Sequence, residues 1–228
     1  MSAEILDLVD RKELDAPAPV STRLESVVEA LTRKMEDGGL PPGAPLRVSR
    51  LSKELDVATN TVREAISILT VQHLVEARAH KSSVVATPTE GWLAAVVAEC
   101  SGLSILAATL GIARATPGER EEFRAAAEQA MTAWRAPHVE HRVASGLTWN
   151  LFQMLASFSR NRYLEAMHAA KRPALVFGFT HLARDRNAAM VGTAIEALRD
   201  AVDDAAAHEG AEIVDDLYIY VLDDLILN

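Results

Sequence analysis

Residues 40–86 read LPPGAPLRVSRLSKELDVATNTVREAISILTVQHLVEARAHKSSVVA, and this stretch decides the fold of the N-terminal part of the chain. A short helix is predicted here with Leu51 and Leu55 on its inner face, followed by a tight connection at residues 56–58. The next helix is predicted to begin at Thr59, because apolar residues then recur every three or four positions. These apolar residues are Val62, Ala65, Ile66 and Leu69.

The periodicity changes after this helix, where residues 74–78 and 83–86 predict two strands joined by a short turn. Upstream, an amphipathic helix is predicted from Thr22 up to a pair of glycines. Three helices followed by a hairpin is the order of a winged helix-turn-helix. We therefore predict such a DNA-binding domain over residues 21–86.

The remainder of the chain divides into an arm, a linker and a second domain. Residues 1–20 end in a proline-rich stretch and are predicted to be a flexible arm, and residues 87–91 are predicted to be the linker. Residues 92–228 are rich in alanine and lack strand alternation, which predicts an all-α helical bundle. Thr116 and Glu119 have the spacing of a capping box in this domain. Later helices are predicted over residues 139–159, 162–171, 173–183, 187–207 and 210–226.

The run from Trp92 to Ala113 is long and apolar enough to span a bilayer, with Glu99 as its single charged residue. Interior small polar residues and the lack of basic or aromatic flanks on both sides favour a buried helix in a helical core. We recognise no signal peptide, and the single cysteine, Cys100, excludes an intramolecular disulfide framework. We therefore expect a cytoplasmic protein with no membrane partner.

The net charge of −9 is unusual for a protein that binds DNA, but the charge is unevenly distributed. Residues 23–86 carry nine Lys and Arg against eight Asp and Glu, whereas residues 87–228 carry twelve against nineteen. The acidity therefore lies mainly outside the predicted DNA-binding domain, and the net charge is compatible with DNA binding.

Polar and basic side chains gather where a winged helix-turn-helix meets DNA. The exposed start of the third helix enters the major groove, where Arg63 can pair with guanine or a phosphate and Asn60 with adenine or a phosphate. Residues before the second helix are expected to contact the DNA backbone, and those at the wing tip the minor groove or phosphates. The predicted DNA-binding residues are Arg47, Ser49, Thr59, Asn60, Thr61, Arg63, His80 and Lys81.

Residues 40–86 resemble the DNA-binding domain of the GntR family of transcription regulators. The resemblance lies in LPPG, the spaced leucines and VREA, which appear in the family's order. It implies that Arg63 contacts DNA. The chain departs from the family pattern at Thr59 and Ser49, where basic residues are common, and in a wing without glycines, so no operator sequence is carried over.

The stretch at residues 147–161, LTWNLFQMLASFSRN, resembles a helix and turn in the C-terminal domain of the FadR-like subfamily. This resemblance implies that the helical domain, residues 92–228, binds an effector and dimerises. Many members of that subfamily bind a divalent metal through one Asp and three His. The resemblance places Thr148, Phe152 and Val191 at three of these positions, and Ile213 or His208 at the last. Because Thr, Phe and Val do not replace such ligands, we predict no metal and no other cofactor.

An apolar effector pocket is predicted in place of the metal site. The aromatic and aliphatic residues of this domain suit an acyl-CoA, a fatty acid or another lipid-like effector. For each of them, simple core packing is the competing interpretation, and a closed domain that only dimerises is a third possibility. The tentative pocket residues are Trp149, Phe152, Leu155, Phe158, Phe177 and Phe179.

Other chemistry has little support in the sequence, and no catalytic residue is predicted. His138 and His141 are interpreted as a solvated helix start, and the acidic pairs such as Asp223-Asp224 as solvated surface. Cys100 beside Glu99 is expected to have a raised pKa. We therefore predict a homodimeric, ligand-responsive regulator of operator DNA. The alternatives are an effector-blind DNA-binding dimer, whose helical domain only dimerises or contacts another protein, and a helical enzyme with an accessory winged domain.

Overall fold

The computed structural model describes residues 22–77, 82–182 and 188–226. The predicted arm at residues 1–20 lies outside these ranges, as do His80 and Lys81 of the predicted wing tip. The fold is mostly α-helical, with an N-terminal winged helix-turn-helix and a C-terminal helical domain, which confirms the predicted fold class.

The winged helix-turn-helix contains α1 (Thr22–Glu36), α2 (Val48–Glu54), α3 (Thr59–Val71), β1 (Val75–Glu76) and β2 (Val84–Val85). Its apolar core is formed by the inner faces of the three helices and by the hairpin, and it includes all four apolar residues predicted for α3. The main members are Val27, Leu31, Met35, Leu46, Leu51, Val62, Ala65, Leu69, Leu74 and Val85.

The turn between α2 and α3 is held by hydrogen bonds rather than by glycine. Asp56 adopts a left-handed conformation with φ of 51°, which aspartate tolerates better than most residues. The Val57 N–H donates to the Ser52 carbonyl at 3.1 Å, and the Ser52 hydroxyl donates to the Val57 carbonyl at 2.6 Å. This reciprocal pair fixes the angle at which α3 leaves α2.

The two strands are antiparallel, with Val75 opposite Val85, and each is shorter than the sequence predicts. The second strand is shared, because Pro45 also forms a bridge with Val84 and the Leu46 N–H donates to the Ser83 carbonyl at 2.8 Å. The segment before α2 therefore takes part of the pairing that a longer hairpin would supply.

The helical domain contains α4 (Glu90–Arg114), α5 (Pro117–Trp134), α6 (His141–Phe158), α7 (Arg162–Ala169), α8 (Arg172–Leu182), α9 (Ala188–Asp203) and α10 (Ala207–Ile226). The capping box at the start of α5 is confirmed: the Thr116 hydroxyl accepts from the Glu119 N–H, and the Glu119 carboxylate accepts from the Thr116 N–H. The start of α4 was predicted two residues too late. The Thr89 hydroxyl caps the helix by accepting from the Trp92 N–H at 3.1 Å, which brings Glu90 into the first turn.

The apolar helix α4 lies at the centre of the helical domain, in contact with α6, α7, α8 and α10. Within the described ranges it is the one helix long and apolar enough to cross a membrane, and half of its most apolar window is buried inside the fold. This is the arrangement expected of a core helix. Arg114 at its end donates to the Ser159 carbonyl, which ties the end of α4 to the end of α6.

The two domains meet through α8 and the start of α4. Phe177 of α8 is almost fully buried and belongs to the apolar core of the winged domain, where its ring meets Trp92 edge-on at a centroid distance of 6.3 Å. Glu99 of α4 pairs with His73, just after α3, and with Lys171, just before α8. The Lys171 ammonium, with a smaller contribution from His73, lowers the pKa of Glu99.

The backbones of α4 and α6 come into close contact at Gly111. A Cβ atom added at Gly111 would overlap the carbonyl oxygen of Leu155, which is backbone and cannot rotate away. Gly102 lies on the same helix, but a Cβ atom there would have nothing within 4 Å. Gly111 is therefore required by packing, whereas Gly102 is not.

We predict that Gly111→Ala lowers the free energy of unfolding by about 1–3 kcal/mol, because the two helices must separate. Gly102→Ala is the matched control and should raise it by about 0.5–1 kcal/mol, because alanine favours the helix interior. Urea unfolding followed by circular dichroism measures both. Equal effects of the two substitutions would show that the contact between α4 and α6 does not limit packing.

Candidate DNA-reading surface and effector cavity

The first turn of α3 is exposed and has no side-chain cap. The helix begins after Ala58, which has no side-chain oxygen to accept from the first N–H groups. Thr59, Asn60 and Arg63 are exposed and Thr61 is half-buried. Uncapped N–H groups and the positive end of the helix dipole suit a phosphate, and the polar side chains beside them suit base edges.

Arg63 is held in place by a neighbour on the same helix. Its guanidinium donates to the Asn60 side-chain oxygen at 2.9 Å. The three-residue spacing places both side chains on one face of α3, with the rest of the guanidinium fork directed by this bond. The two side chains that the sequence assigns to base reading therefore form one unit on the surface.

The second part of this surface belongs to α2, where Arg47 and Ser49 are exposed. Ser49 lies inside the first turn of α2, because the helix begins at Val48 with Arg47 as the N-cap residue in an extended conformation. The Arg47 carbonyl accepts from the N–H groups of Arg50 and Leu51, both at 3.0 Å, so the helical hydrogen bonds of α2 begin at Arg47.

Sequence reasoning missed two cations beside Arg47. A shallow, open depression is lined by Arg47, Ser49, Arg50, Lys53 and Glu54. Arg47, Arg50 and Lys53 are spaced three apart, a spacing that places residues on one helix face and would have identified them. Lys34 of α1 pairs with Glu54, which reduces the negative charge at the edge of this depression.

A cavity of about 80 Å³, partly open to solvent, lies within the helical domain. Its lining is mainly apolar and comes from α4, α5, α6, α8, α9 and α10. The lining residues are Val97, Trp134, His141, Ser145, Thr148, Trp149, Phe152, Leu175, Phe179, Leu182, Val191, Leu217, Tyr218, Val221, Asp224 and Leu225.

Three of the six tentative pocket residues, Trp149, Phe152 and Phe179, line this cavity, and the other three do not. Leu155 and Phe158 are buried in the core of the helical domain, and the backbone of Leu155 contacts α4 at Gly111. Phe177 packs into the core of the winged domain. Residues two positions apart on α8 point in different directions, which separates Phe177 from Phe179.

Three of the positions that the predicted FadR-like resemblance assigned to metal ligands fall around this cavity. Thr148, Phe152 and Val191 all line it, whereas His208 is exposed and lies 3.4 Å from Glu212. The Thr148 hydroxyl accepts from the Trp134 indole N–H at 2.8 Å and donates to the Ala144 carbonyl at 3.0 Å. Within residues 22–77, 82–182 and 188–226, no group of three or more His, Cys, Asp or Glu side chains is arranged to hold a metal.

Two residues interpreted from the sequence as solvated are instead part of the cavity. His141 lines it and meets the Trp134 ring edge-on at 5.8 Å, and Asp224 lines it with only 8% exposure. Asp223 remains exposed. The sequence could not separate the two aspartates, because neighbouring helical residues point about 100° apart and only the packing of α10 decides which one turns inward.

A buried polar chain supports the wall of the cavity. The Tyr218 hydroxyl lies 2.8 Å from the Ser104 hydroxyl, which lies 3.2 Å from His168 Nε2. His168 Nδ1 donates to the Gln153 oxygen at 2.9 Å, so Nε2 is left to accept from Ser104. Trp149 stacks on the His168 ring at a centroid distance of 3.9 Å.

Burial shapes the ionisation of this region. It lowers the pKa of His168 to about 4 and raises the pKa of Tyr218, so both are neutral near pH 7. Burial also raises the pKa of the Cys100 thiol to about 12, as the sequence predicted, and gives no support to a nucleophilic role.

Comparison with known protein families identifies the N-terminal domain. Residues 23–85 match the family of bacterial regulatory proteins described as the gntR family. The winged helix-turn-helix in this segment is therefore a GntR-family DNA-binding domain. The narrower FadR-like resemblance of the helical domain stays a prediction.

Solved structures share the fold over nearly the whole chain. E. coli McbR/YncC aligns with a TM-score of 0.66 at 18% identity, covering 91% of this chain and 99% of that protein. A transcriptional regulator GntR from Rhodococcus sp. RHA1 aligns with a TM-score of 0.68 at 19% identity, covering 90% and 98%. At these identities the likeness establishes the fold alone. No curated protein sequence is significantly similar to this chain.

We predict that His168 makes the stability of the protein depend on pH. Its pKa falls from 6.5 in the unfolded chain to about 4 in the folded one, so between these values the unfolded state binds the additional proton. The free energy of unfolding should therefore decrease as pH falls, by about 2–3 kcal/mol between pH 7 and 4.5 from this group. Urea unfolding at both pH values measures the change.

His168→Gln removes the titrating group and should lose this share of the pH dependence. His208→Gln is the matched control, because the His208 side chain is 91% exposed. Wild type and His208→Gln are expected to behave alike. If His168→Gln retained the full decrease between pH 7 and 4.5, another group would be responsible.

Proposed function

We propose that this protein is a homodimeric transcription regulator that reads operator DNA with the first turn of α3 and responds to a small effector in the cavity. The observation that carries the proposal is the exposed, uncapped first turn of α3, with Arg63 and Asn60 paired on it, within a GntR-family domain. The function follows from the chemistry of this surface rather than from the fold alone.

The residues of the surface have separate roles in this proposal. Arg63 reads a guanine and Asn60 an adjacent adenine or phosphate, while the N–H groups at Thr59 and Thr61 bind a phosphate. On α2, the proposed contacts of Arg47 and Ser49 are with the DNA backbone, and we add Arg50 and Lys53 to this group because they line the same depression. His80 and Lys81 stay predicted contacts of the wing.

A dimer follows from the way a single recognition helix reads DNA. One helix covers a few base pairs, and a two-fold pair reads two half-sites spaced about one helical turn apart. GntR regulators typically act as dimers. We therefore propose a pseudo-palindromic operator bound by two copies of this chain, in the cytoplasm where the DNA lies.

The effector site in this proposal is the cavity. Its mainly apolar lining supports an effector with hydrocarbon character, the feature that an acyl-CoA or a fatty acid shares with smaller ligands. A volume of about 80 Å³ has room for about five to eight water-sized groups, which favours a compact ligand over a long acyl chain.

The helix α8 connects the cavity to the DNA-binding domain. Leu175, Phe179 and Leu182 on one side line the cavity, and Phe177 on the other side packs into the core of the winged domain. At Gly178 the helix packs directly on α4, since a Cβ atom there would lie 2.5 Å from the end of the Leu93 side chain. A shift of α8 by a ligand therefore moves the core that supports α3, which is the differential contact that allosteric control requires.

We predict that Arg63→Ala weakens binding to the selected operator by about 1–3 kcal/mol, or roughly 5- to 150-fold, because a bidentate base contact is lost. The operator is obtained by selection from a pool of random DNA duplexes with the full-length protein. Band shifts at a fixed salt concentration then measure the dissociation constants.

Arg135→Ala is the matched control, because it removes the same charge from an exposed position on the helical domain. It should leave the affinity within about two-fold. Failure to enrich any sequence, or equal losses in the two variants, would remove the basis for sequence reading by α3.

We further predict that filling the cavity changes operator affinity without any change in the DNA-reading surface. Val191→Phe places a ring in the cavity from α9, as an effector would. The dissociation constant for the operator should change by at least about five-fold, and Phe177→Ala in the same chain should abolish the change. Val191→Ala, which leaves the cavity open, is the control. Circular dichroism checks that each variant retains the fold. If the protein is an effector-blind dimer, the dissociation constant for the operator will be the same in all folded variants.

A further inference from the structure

One buried donor at the cavity has no partner. The indole nitrogen of Trp149 is shielded from solvent and makes no hydrogen bond to any part of the chain that the structure describes. Trp149 lines the cavity and is only 3% exposed. A buried donor without an acceptor costs free energy, so a ligand that supplies an acceptor at this site is bound more tightly.

The Trp149 ring is fixed by its neighbours, and it cannot easily rotate to find an acceptor elsewhere. One face stacks on His168, with an angle of 14° between the rings, and its edge meets Phe152 at 6.5 Å. His168 is in turn held by Ser104 and Gln153. The donor is therefore preorganised, which lowers the entropic cost of binding an acceptor there.

Other polar groups on the same wall are already matched within the protein. The Trp134 indole N–H donates to Thr148, and the Tyr218 hydroxyl lies within hydrogen-bond distance of Ser104. The Ser145 hydroxyl donates to the His141 carbonyl. Trp134 and Trp149 therefore differ in one respect: both line the cavity, but of the two indole N–H groups only that of Trp149 lacks an acceptor.

We infer that the cavity binds a small, largely hydrocarbon carbonyl compound, such as a ketone, an ester or a lactone, whose oxygen accepts a hydrogen bond from Trp149 Nε1. This inference rests on the proposed effector cavity and adds the chemical class of its ligand. The apolar lining holds the hydrocarbon part, and the volume of about 80 Å³ fits a ring of five or six atoms.

The test compares two probes of equal shape. Cyclopentanone carries a carbonyl oxygen where methylenecyclopentane carries a CH₂ group, so only the ketone can accept from Trp149. Dissociation constants come from ligand titrations of the full-length protein followed by thermal unfolding. For each protein we take the ratio of the two dissociation constants and compare this ratio between wild type and variants. The two probes are hydrated differently in water, but this difference is the same for every protein and cancels in the comparison.

Trp149→Phe removes the donor and keeps an aromatic ring, and Trp134→Phe is the matched control. The preference for the ketone is expected to fall about five-fold in Trp149→Phe, the fold-change for one net hydrogen bond, and to stay within two-fold in Trp134→Phe. In wild-type protein labelled with ¹⁵N, the ketone alone should move the indole N–H resonance of Trp149 downfield. This measurement uses only the wild-type protein, so it does not depend on whether the variants fold.

The possible failures are distinguishable. If neither probe binds, the cavity does not admit small molecules, and the effector part of the proposed function fails together with the inference. If both probes bind and the ketone preference is unchanged in Trp149→Phe, or if the Trp149 resonance does not respond to the ketone, the cavity stands and the carbonyl inference is wrong. DNA binding by α3 is independent of each result.

Discussion

The burial of α4 within the helical domain is the constraint on which the rest of the structure depends. This helix is apolar around most of its circumference, so it must be covered by α6, α7, α8 and α10. Gly111 permits the backbone of α6 to approach, and that approach positions the α6 side chains that face the cavity. The first turn of the same helix carries Trp92, which contacts the core of the winged domain. One buried helix therefore organises both the cavity and the junction between the domains.

The junction relies on apolar contact more than on charge. Phe177 is almost fully buried among residues of the winged domain, whereas the ion pairs of Arg142 with Glu36 and Asp37, both at 3.3 Å, are largely exposed on the Arg142 side. Exposed ion pairs contribute about 0–1 kcal/mol and are screened by salt. A close-packed aromatic contact transmits displacement better than solvated charges, because its atoms cannot move apart without losing packing. This favours α8 as the connection between cavity and DNA.

Features with a local physical cause could be predicted from the sequence. The three helices and the hairpin, the boundary of α3 at Thr59, and the capping box at Thr116 all depend on residues within a few positions of each other. The raised pKa of Cys100 also followed, because an apolar helical run predicts burial. The strands were predicted too long, since the pairing of Pro45 with Val84 joins segments almost forty residues apart and leaves no local signal.

The residues and their spacing alone were enough to predict a winged helix-turn-helix, with Arg63 on its third helix, followed by an all-helical domain. Only the tertiary structure decided which side chains share the cavity. It turned Asp224 and His141 inward, sent Phe177 to the other domain, and left the buried Trp149 donor without an acceptor among the residues that the structure describes. The physical reason is that helical periodicity defines the apolar faces of a helix, whereas the crossing of six helices decides which of those faces enclose empty space.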